Sequence, residues 1–341
     1  MKKLVYVGFA FVHHKETHAG YHHIKEWLNY DYVIDCQDFF ERCEKRRDEL
    51  TIIQRIIRRI TLMILDAPVI PWYAARIIWL GLTREDLVFH FIYGENTFLP
   101  WLRYFVKRSN KFVCTFHQPM EFFDMYSNQK RKVKYAHRVI LVSNAEIHKF
   151  ENLKGKHNVV YIPHGIASDF YRVDRSVKKE NIVLTVGNWL RDYELANKVY
   201  DYLLRCDQTL SIHVVTNKIN RKYITDNPRI KFFSDISDDE LRHEYLKCSV
   251  LFLPLKRYTA NNSLLEAGAT GCNIVIASNH SDNTYLPKEY ITITKMKVSE
   301  SAEAILRMRK SEYNIGLSEY ITSQYEWKTI AERTLAELLN T

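Results

Sequence analysis

The sequence predicts an α/β fold of two doubly wound domains. Short runs rich in Val, Ile and Phe recur along the whole chain. Most lack strict polar alternation, as expected of parallel strands buried on both faces. Helix-like segments separate them, and strand–helix–strand order repeated many times gives doubly wound sheets. The 341 residues, 46% of them apolar, are enough for two separate cores.

In the first half the strand candidates are residues 4–11, 32–35, 87–92, 111–116, 139–142 and 159–162. In the second they are 182–186, 211–215, 230–233, 250–253 and 273–277. Residues 237–247 form one of the intervening helices, with Ser237 and Glu240 in the S-x-x-E capping pattern. The breaker cluster Pro163-His164-Gly165 follows a strand and marks the domain boundary. Ligands of such sheets bind at the carboxyl ends of the strands, so the loops after the strands carry the chemistry.

The formal charge is +9 and the pI about 9.0, which favours an anionic partner: nucleotide phosphate, nucleic acid or an acidic membrane. No nucleic-acid motif accompanies that charge. No signal peptide or membrane-spanning run is expected. The six cysteines are scattered without a C-x-x-C pair and read as reduced thiols.

The richest loop is Asn261-Asn262-Ser263-Leu264-Leu265-Glu266, between two strands and opening a helix. A helix start presents N–H groups that attract phosphate, and Glu266 behind it suits ribose hydroxyls. Ser263 and Glu266 also fit a capping box, which leaves both readings open. Gly187-Asn188-Trp189-Leu190-Arg191-Asp192 follows strand 182–186. Gly187 permits a sharp turn, and Arg191 could neutralise a diphosphate through paired bonds or stand solvated at the surface. Lys218, after strand 211–215, is a second candidate cation, and Lys256 and Arg257 are in range. His117 follows strand 111–116 and reads as a general base, a polar contact to a sugar, or a structural histidine. His18, Gly20 and Tyr21 follow the first strand. His13, His14, His18, His22 and His23 lack a recognisable ligand spacing, so no metal site is expected. Residues 50–65 interleave Arg55, Arg58 and Arg59 with apolar residues, and Trp72, Arg76 and Trp79 follow. That composition suits a membrane-surface helix or a helix packed on the sheet, and Lys107-Arg108 and Lys130-Arg131-Lys132 add positive charge.

With these residues in view, the chain resembles the GT-B glycosyltransferases, specifically the retaining family 4 type. The resemblance is carried by Val142-Ser143-Asn144, Ile162-Pro163-His164-Gly165-Ile166, Thr185-Val186-Gly187, Ile236-Ser237-Asp238-Asp239-Glu240-Leu241 and Ser263-Leu264-Leu265-Glu266-Ala267 with Gly271. The closing stretch Tyr325-Glu326-Trp327 through Arg333 resembles the family's final helix. It implies two Rossmann-like domains facing a central cleft. Residues 1–163 would bind the acceptor, with helix 325–341 packing back on them, and residues 164–324 would bind a nucleotide sugar.

The implied reaction is metal-independent transfer, with retention, of a hexose or N-acetylhexosamine. The donor would be a nucleoside diphosphate sugar (UDP favoured). The acceptor would be a glycan, plausibly lipid-linked, in cell-surface polysaccharide or lipopolysaccharide synthesis at the inner face of the membrane. No cofactor and no nucleic acid are implied. His117, Arg191 and Lys218 take the catalytic places. Gly187, Asn188, Ile236, Asn262, Ser263, Leu264 and Glu266 take the donor contacts, and His18, Gly20 and Tyr21 the acceptor side. Two positions depart from the family pattern. Tyr258 stands where the first of two paired glutamates belongs, and Asn188 stands where an Arg is usual. An inverting transferase, a nucleotide-sugar epimerase, a degenerate nucleotide-sugar sensor and a basic nucleic-acid-binding protein are the alternatives.

Overall fold

The computed structural model of the chain describes residues 2–11, 14–45, 71–125, 127–279, 285–309 and 312–341. They form two six-stranded sheets in which every named pairing is parallel. The first contains β1 (Lys3–Gly8), β2 (Tyr32–Asp35), β3 (Leu87–Phe91), β4 (Lys111–Phe116), β5 (Arg138–Leu141) and β6 (Val159–Tyr161), in the order β2-β1-β3-β4-β5-β6. The second contains β7 (Ile182–Val186), β8 (Ser211–Val215), β9 (Ile230–Phe233), β10 (Val250–Pro254), β11 (Asn273–Ala277) and β12 (Thr292–Thr294), in the order β12-β11-β10-β7-β8-β9. All five residues of β3, β7, β10 and β11 are buried, which is why these runs carry apolar side chains without alternation.

All eleven expected strands form, and two details differ. β1 ends at Gly8 instead of continuing to residue 11. Beyond it the Ala10 N–H donates to the Gln37 side chain (2.8 Å), so the backbone leaves the ladder. The edge strand β12 was not anticipated, because three half-buried residues with Thr at both ends give almost no periodic signal.

The chain divides by its contacts into unit 1, residues 1–165 and 327–341, and unit 2, residues 166–326. Helix Trp327–Leu339 thus returns to unit 1. A Cβ on Gly165 would lie 2.3 Å from the Trp327 ring, so only glycine admits that indole. Lys2 Nζ donates to the Leu339 and Thr341 carbonyls at 2.6 and 2.8 Å.

Helix Asp238–Lys247 begins with the expected capping box: Ser237 N–H donates to Glu240 Oε2 (2.8 Å), and Glu240 N–H to Ser237 Oγ (3.3 Å). The basic run at 130–132 is not uniformly a surface feature. Lys132 is buried, and its ammonium donates to the Glu95 carbonyl at 2.7 Å, because helix Ser127–Tyr135 turns that side chain inward.

Candidate functional site

In each sheet the strand order reverses at one place, and there the carboxyl ends of neighbouring strands leave a crevice for ligands. In unit 2 that place lies between β7 and β10. The loops leaving these two strands are tied together. Arg191 and Leu255 form an antiparallel bridge, Asp192 N–H donates to the Pro254 carbonyl (2.9 Å), and Lys256 N–H to the Leu190 carbonyl (3.0 Å).

Gly187 opens the first loop at φ +108°, a left-handed value that favours glycine. Its carbonyl accepts from Tyr193 Oη (2.5 Å) and Thr216 Oγ1 (3.1 Å). The turn sends Arg191 back over the strand end. Its Nε donates to the Val186 carbonyl (3.1 Å), one terminal nitrogen to the Trp189 carbonyl (3.0 Å), and the other to Asn261 Oδ1 (3.2 Å). Among the described residues no carboxylate pairs with this guanidinium. Burial pushes its pKa down, because charge is held away from water without a counter-ion.

The Gly187 site is sensitive to a single methyl group. A Cβ there would lie 2.7 Å from an Arg191 terminal nitrogen, on top of the backbone strain. Gly187→Ala is expected to weaken binding of a diphosphate ligand at least tenfold and to lower the melting temperature of unit 2. Calorimetric titration with UDP checks it, and unchanged affinity would show that Arg191 is not held by this turn.

Asn261, at 6% exposure, caps helix Asn262–Ala269. Its Oδ1 accepts from Leu264 N–H (3.3 Å) as well as from Arg191, while its buried Nδ2 has no hydrogen-bond partner. An orphan buried donor beside an unneutralised guanidinium is what an absent anion would leave behind. This geometry overturns the capping-box reading of Ser263 and Glu266. The cap sits two residues earlier than Ser263, so Glu266 is too deep in the helix to reach the cap N–H. Glu266 instead accepts from Tyr245 Oη at 2.9 Å. Burial raises its carboxyl to about 7, the Tyr245 bond works against that, and Asp238 adds to it.

The other expected donor residues are placed differently. Leu264 N–H is engaged by Asn261, so the N–H groups that helix geometry leaves without an intrahelical partner are those of Asn262 and Ser263. Asn188 Oδ1 is spent on Thr216 Oγ1 (2.7 Å) and Asn217 N–H (2.6 Å), which ties the loops after β7 and β8. Lys218 is 78% exposed and pairs with Asp235 at 3.1 Å, so its charge answers a carboxylate on the loop after β9. Ile236 and Tyr258 pack half-buried against the core. Asn261, Tyr245, Tyr193 and Thr216 were missed. An asparagine before a helix was visible as a cap signal, but the tyrosines reach the site only through tertiary packing.

In unit 1 the order reverses between β1 and β3. His117, after β4, is held by the turn after β3. Its backbone N–H donates to Glu95 Oε1 (3.2 Å), and its ring bonds the Ile92 carbonyl through Nε2 (2.8 Å). Burial lowers its pKa to about 3, so at neutral pH the ring is uncharged, with the proton on Nε2. Buried Glu95 is raised to about 7 by desolvation, and its Oε2 has no partner. Tyr21 is fully buried and stands edge-on to His117 with ring centroids 4.9 Å apart. It supports that ring and offers no surface to a ligand. Gly20 has φ +108°, and a Cβ there would lie 2.8 Å from His22 Nδ1. His18 lies exposed on the preceding bend. His22, His164, Glu95 and Trp327 were missed as parts of it. Among the described residues no group of three or more His, Cys, Asp or Glu is placed to hold a metal ion. His13, Arg55, Arg58 and Arg59 lie outside the described residues, and Trp72 opens helix Trp72–Thr83.

No family model matches the chain, and no curated protein matches its sequence. Solved structures do match. HepE (Alr3699) of Anabaena, in complex with UDP and glucose, aligns over 100% of both chains at a TM-score of 0.68 and 12% identity. The N-terminal domain of Candida albicans trehalose-6-phosphate phosphatase aligns over 100% of this chain and 97% of its own at 0.69 and 10% identity. This chain has the GT-B fold. TarM of S. aureus, as a mutant in complex with UDP, fondaparinux and α-GlcNAc-glycerol, aligns over 78% of this GT-B chain at 0.61 and 14% identity. The chain spans 59% of the TarM length.

Proposed function

We propose that the chain is a retaining glycosyltransferase that moves a hexose or N-acetylhexosamine from a nucleoside diphosphate sugar, UDP-linked by preference, to a glycan acceptor carried on a lipid. The observation that carries this reading is Arg191, bonded to Asn261 Oδ1, standing beside the orphan Nδ2 of the same Asn261 at the β7/β10 reversal. Both are donors, the guanidinium half-buried and the amide buried, at the strand ends where such sheets bind ligands. The fold supports the reading, as does UDP in the Anabaena and S. aureus proteins of the same fold.

In this reading Arg191, Asn261 Nδ2 and the N–H groups of Asn262 and Ser263 surround the diphosphate. Glu266 accepts from ribose hydroxyls, with Tyr245 fixing one of its oxygens. As the bond from the anomeric carbon to the diphosphate breaks, negative charge grows on the leaving oxygen, and these prearranged donors stabilise it. The acceptor hydroxyl attacks from the same face and passes its proton to the leaving phosphate, so no carboxylate nucleophile is needed, unlike the usual retaining glycosidase. In this reading His117 is an uncharged polar contact to the sugar. Lys218, spent on Asp235, has no part.

A thermal-shift panel of UDP, GDP and ADP tests the donor site. A ligand at a hundredfold its dissociation constant adds about 2.7 kcal/mol to the folded state, so UDP is expected to raise the melting temperature by several degrees. Glu266→Ala should lose most of that rise while still melting cooperatively without ligand. No rise from any nucleotide would sink the assignment of this site. Product analysis with the donor alone separates transfer from epimerisation.

A further inference from the structure

Helix Trp72–Thr83 has apolar residues on both of its faces. Tyr73, Ala74, Ile77 and Leu80 are buried in unit 1. On the opposite face Trp72, Trp79 and Leu82 are 43%, 61% and 55% exposed. At 3.6 residues per turn these three fall in one stripe, together with exposed Arg76. The segment after helix Pro100–Tyr104 packs on the buried side of the helix end, at Gly81. Lys107 N–H donates to the Gly81 carbonyl (3.0 Å), and a Cβ on Gly81 would lie 2.3 Å from Val106, so that segment lies against the end of the helix. It brings Tyr104 and Phe105, 71% and 51% exposed.

Soluble surfaces rarely gather large apolar side chains in this way. The charges nearby are mostly of one sign. Arg76, Arg84, Arg103 and Arg108 are exposed here against Asp86, while Lys107 and Glu85 pair with each other at 2.9 Å. Indole and phenol rings ringed by cations are the chemistry of the membrane–water interface, where the rings enter the headgroup layer and the cations meet anionic lipid. A second copy of this basic chain would also meet the apolar stripe, but it would set cations against cations at the border. No helix among the described residues is long and apolar enough to cross a membrane.

We propose that the outward face of helix Trp72–Thr83, with Tyr104 and Phe105, docks unit 1 on an anionic bilayer. The proposal deepens the lipid-linked acceptor reading. It is tested without any sugar transfer, so the two can fail separately.

The test is co-sedimentation with vesicles of phosphatidylcholine alone and with phosphatidylglycerol added, followed by tryptophan emission. Binding to the anionic vesicles is expected, with a blue shift of the emission and weakening at high salt. Trp79→Ala combined with Leu82→Ala should reduce partition about tenfold or more, given the area withdrawn. Arg76→Glu should reduce it on anionic vesicles while leaving the helix in place, because its side chain is exposed. UDP binding, measured on the same preparations, should be unchanged in all variants. Absence of binding to either vesicle by a protein that still binds UDP would overturn the proposal and leave the donor site standing. So would a dimer in sedimentation velocity that is broken by the Trp79 and Leu82 changes, since the face would then be covered by a second copy.

Discussion

Arg191→Ala is expected to lower kcat/KM for nucleotide-sugar turnover by about a hundredfold to a thousandfold, the range seen when one prearranged donor to a developing oxyanion is removed. The loss should fall on the phosphate end of the ligand, so UDP affinity drops while uridine affinity does not. Arg191→Lys should recover part of the charge but not the forked geometry, since one ammonium cannot serve Val186, Trp189 and Asn261 in their present positions. The substitution also withdraws hydrogen bonds from two carbonyls and from Asn261, so some apo stability is lost, on the order of 1 kcal/mol for each bond. Isothermal titration of both ligands against wild type and the two variants reads the result. Equal UDP affinity in wild type and Arg191→Ala would place the phosphates elsewhere.

The second large effect is acid unfolding confined to unit 1. Burial lowers His22, His90 and His117 to about 3, and His137 and His164 to about 4. All five belong to unit 1. Unfolded, each binds a proton below about 6.5, while the folded chain refuses it until much lower pH. The unfolded state therefore binds more protons in this window, and the stability that is fully present above pH 6.5 is lost as the pH falls toward 4. Glu95 acts in the opposite sense. Raised to about 7 by burial, it holds a proton that the unfolded chain releases above its ordinary value, so it offsets about one histidine.

Each uncompensated histidine is worth about 1.4 kcal/mol per pH unit at full slope. A net of several therefore exhausts the typical 5–15 kcal/mol of a domain within a unit or two of pH. Unit 2 lacks this load. Glu266 favours the folded state on the acid side, and Asp207, held low chiefly by its hydrogen bonds to Thr209, titrates below its ordinary value of 3.8. Calorimetric scans from pH 7.5 down to 4.5 should show one transition moving down steeply and another holding or rising. Hydrogen exchange should assign the first to unit 1. Parallel movement of both would refute the assignment of the buried histidines.

Which features were legible in the sequence follows from how local their causes are. The eleven strands were, because burial on both faces forces apolar residues into consecutive positions. Gly187 and Arg191 were, because a glycine at a strand end followed by a cation is a local pattern. The helix at Asn262 was readable, but its cap was left open. Asn261 and Ser263 both satisfy the chemistry of a cap, and only the fold selects between them. Lys132 and Glu95 were invisible, since a lysine in a basic run looks solvated and nothing nearby in sequence shows that tertiary packing buries both. The histidine cluster failed for the same reason. His22, His117 and His164 come from three separate loops, and no spacing in the chain records their approach.

The return of helix Trp327–Leu339 to unit 1 also bears on the order in which the protein is made. Residues 166–326 emerge between the two parts of unit 1. At usual synthesis rates about ten to thirty seconds separate the first part from its last helix. Until that helix arrives, Gly165, His164 and Tyr21 have no indole against them. Unit 2 is continuous and can close as soon as it has emerged. The part of the chain made first is therefore the part completed last, and during that interval its unfinished face lacks its final helix.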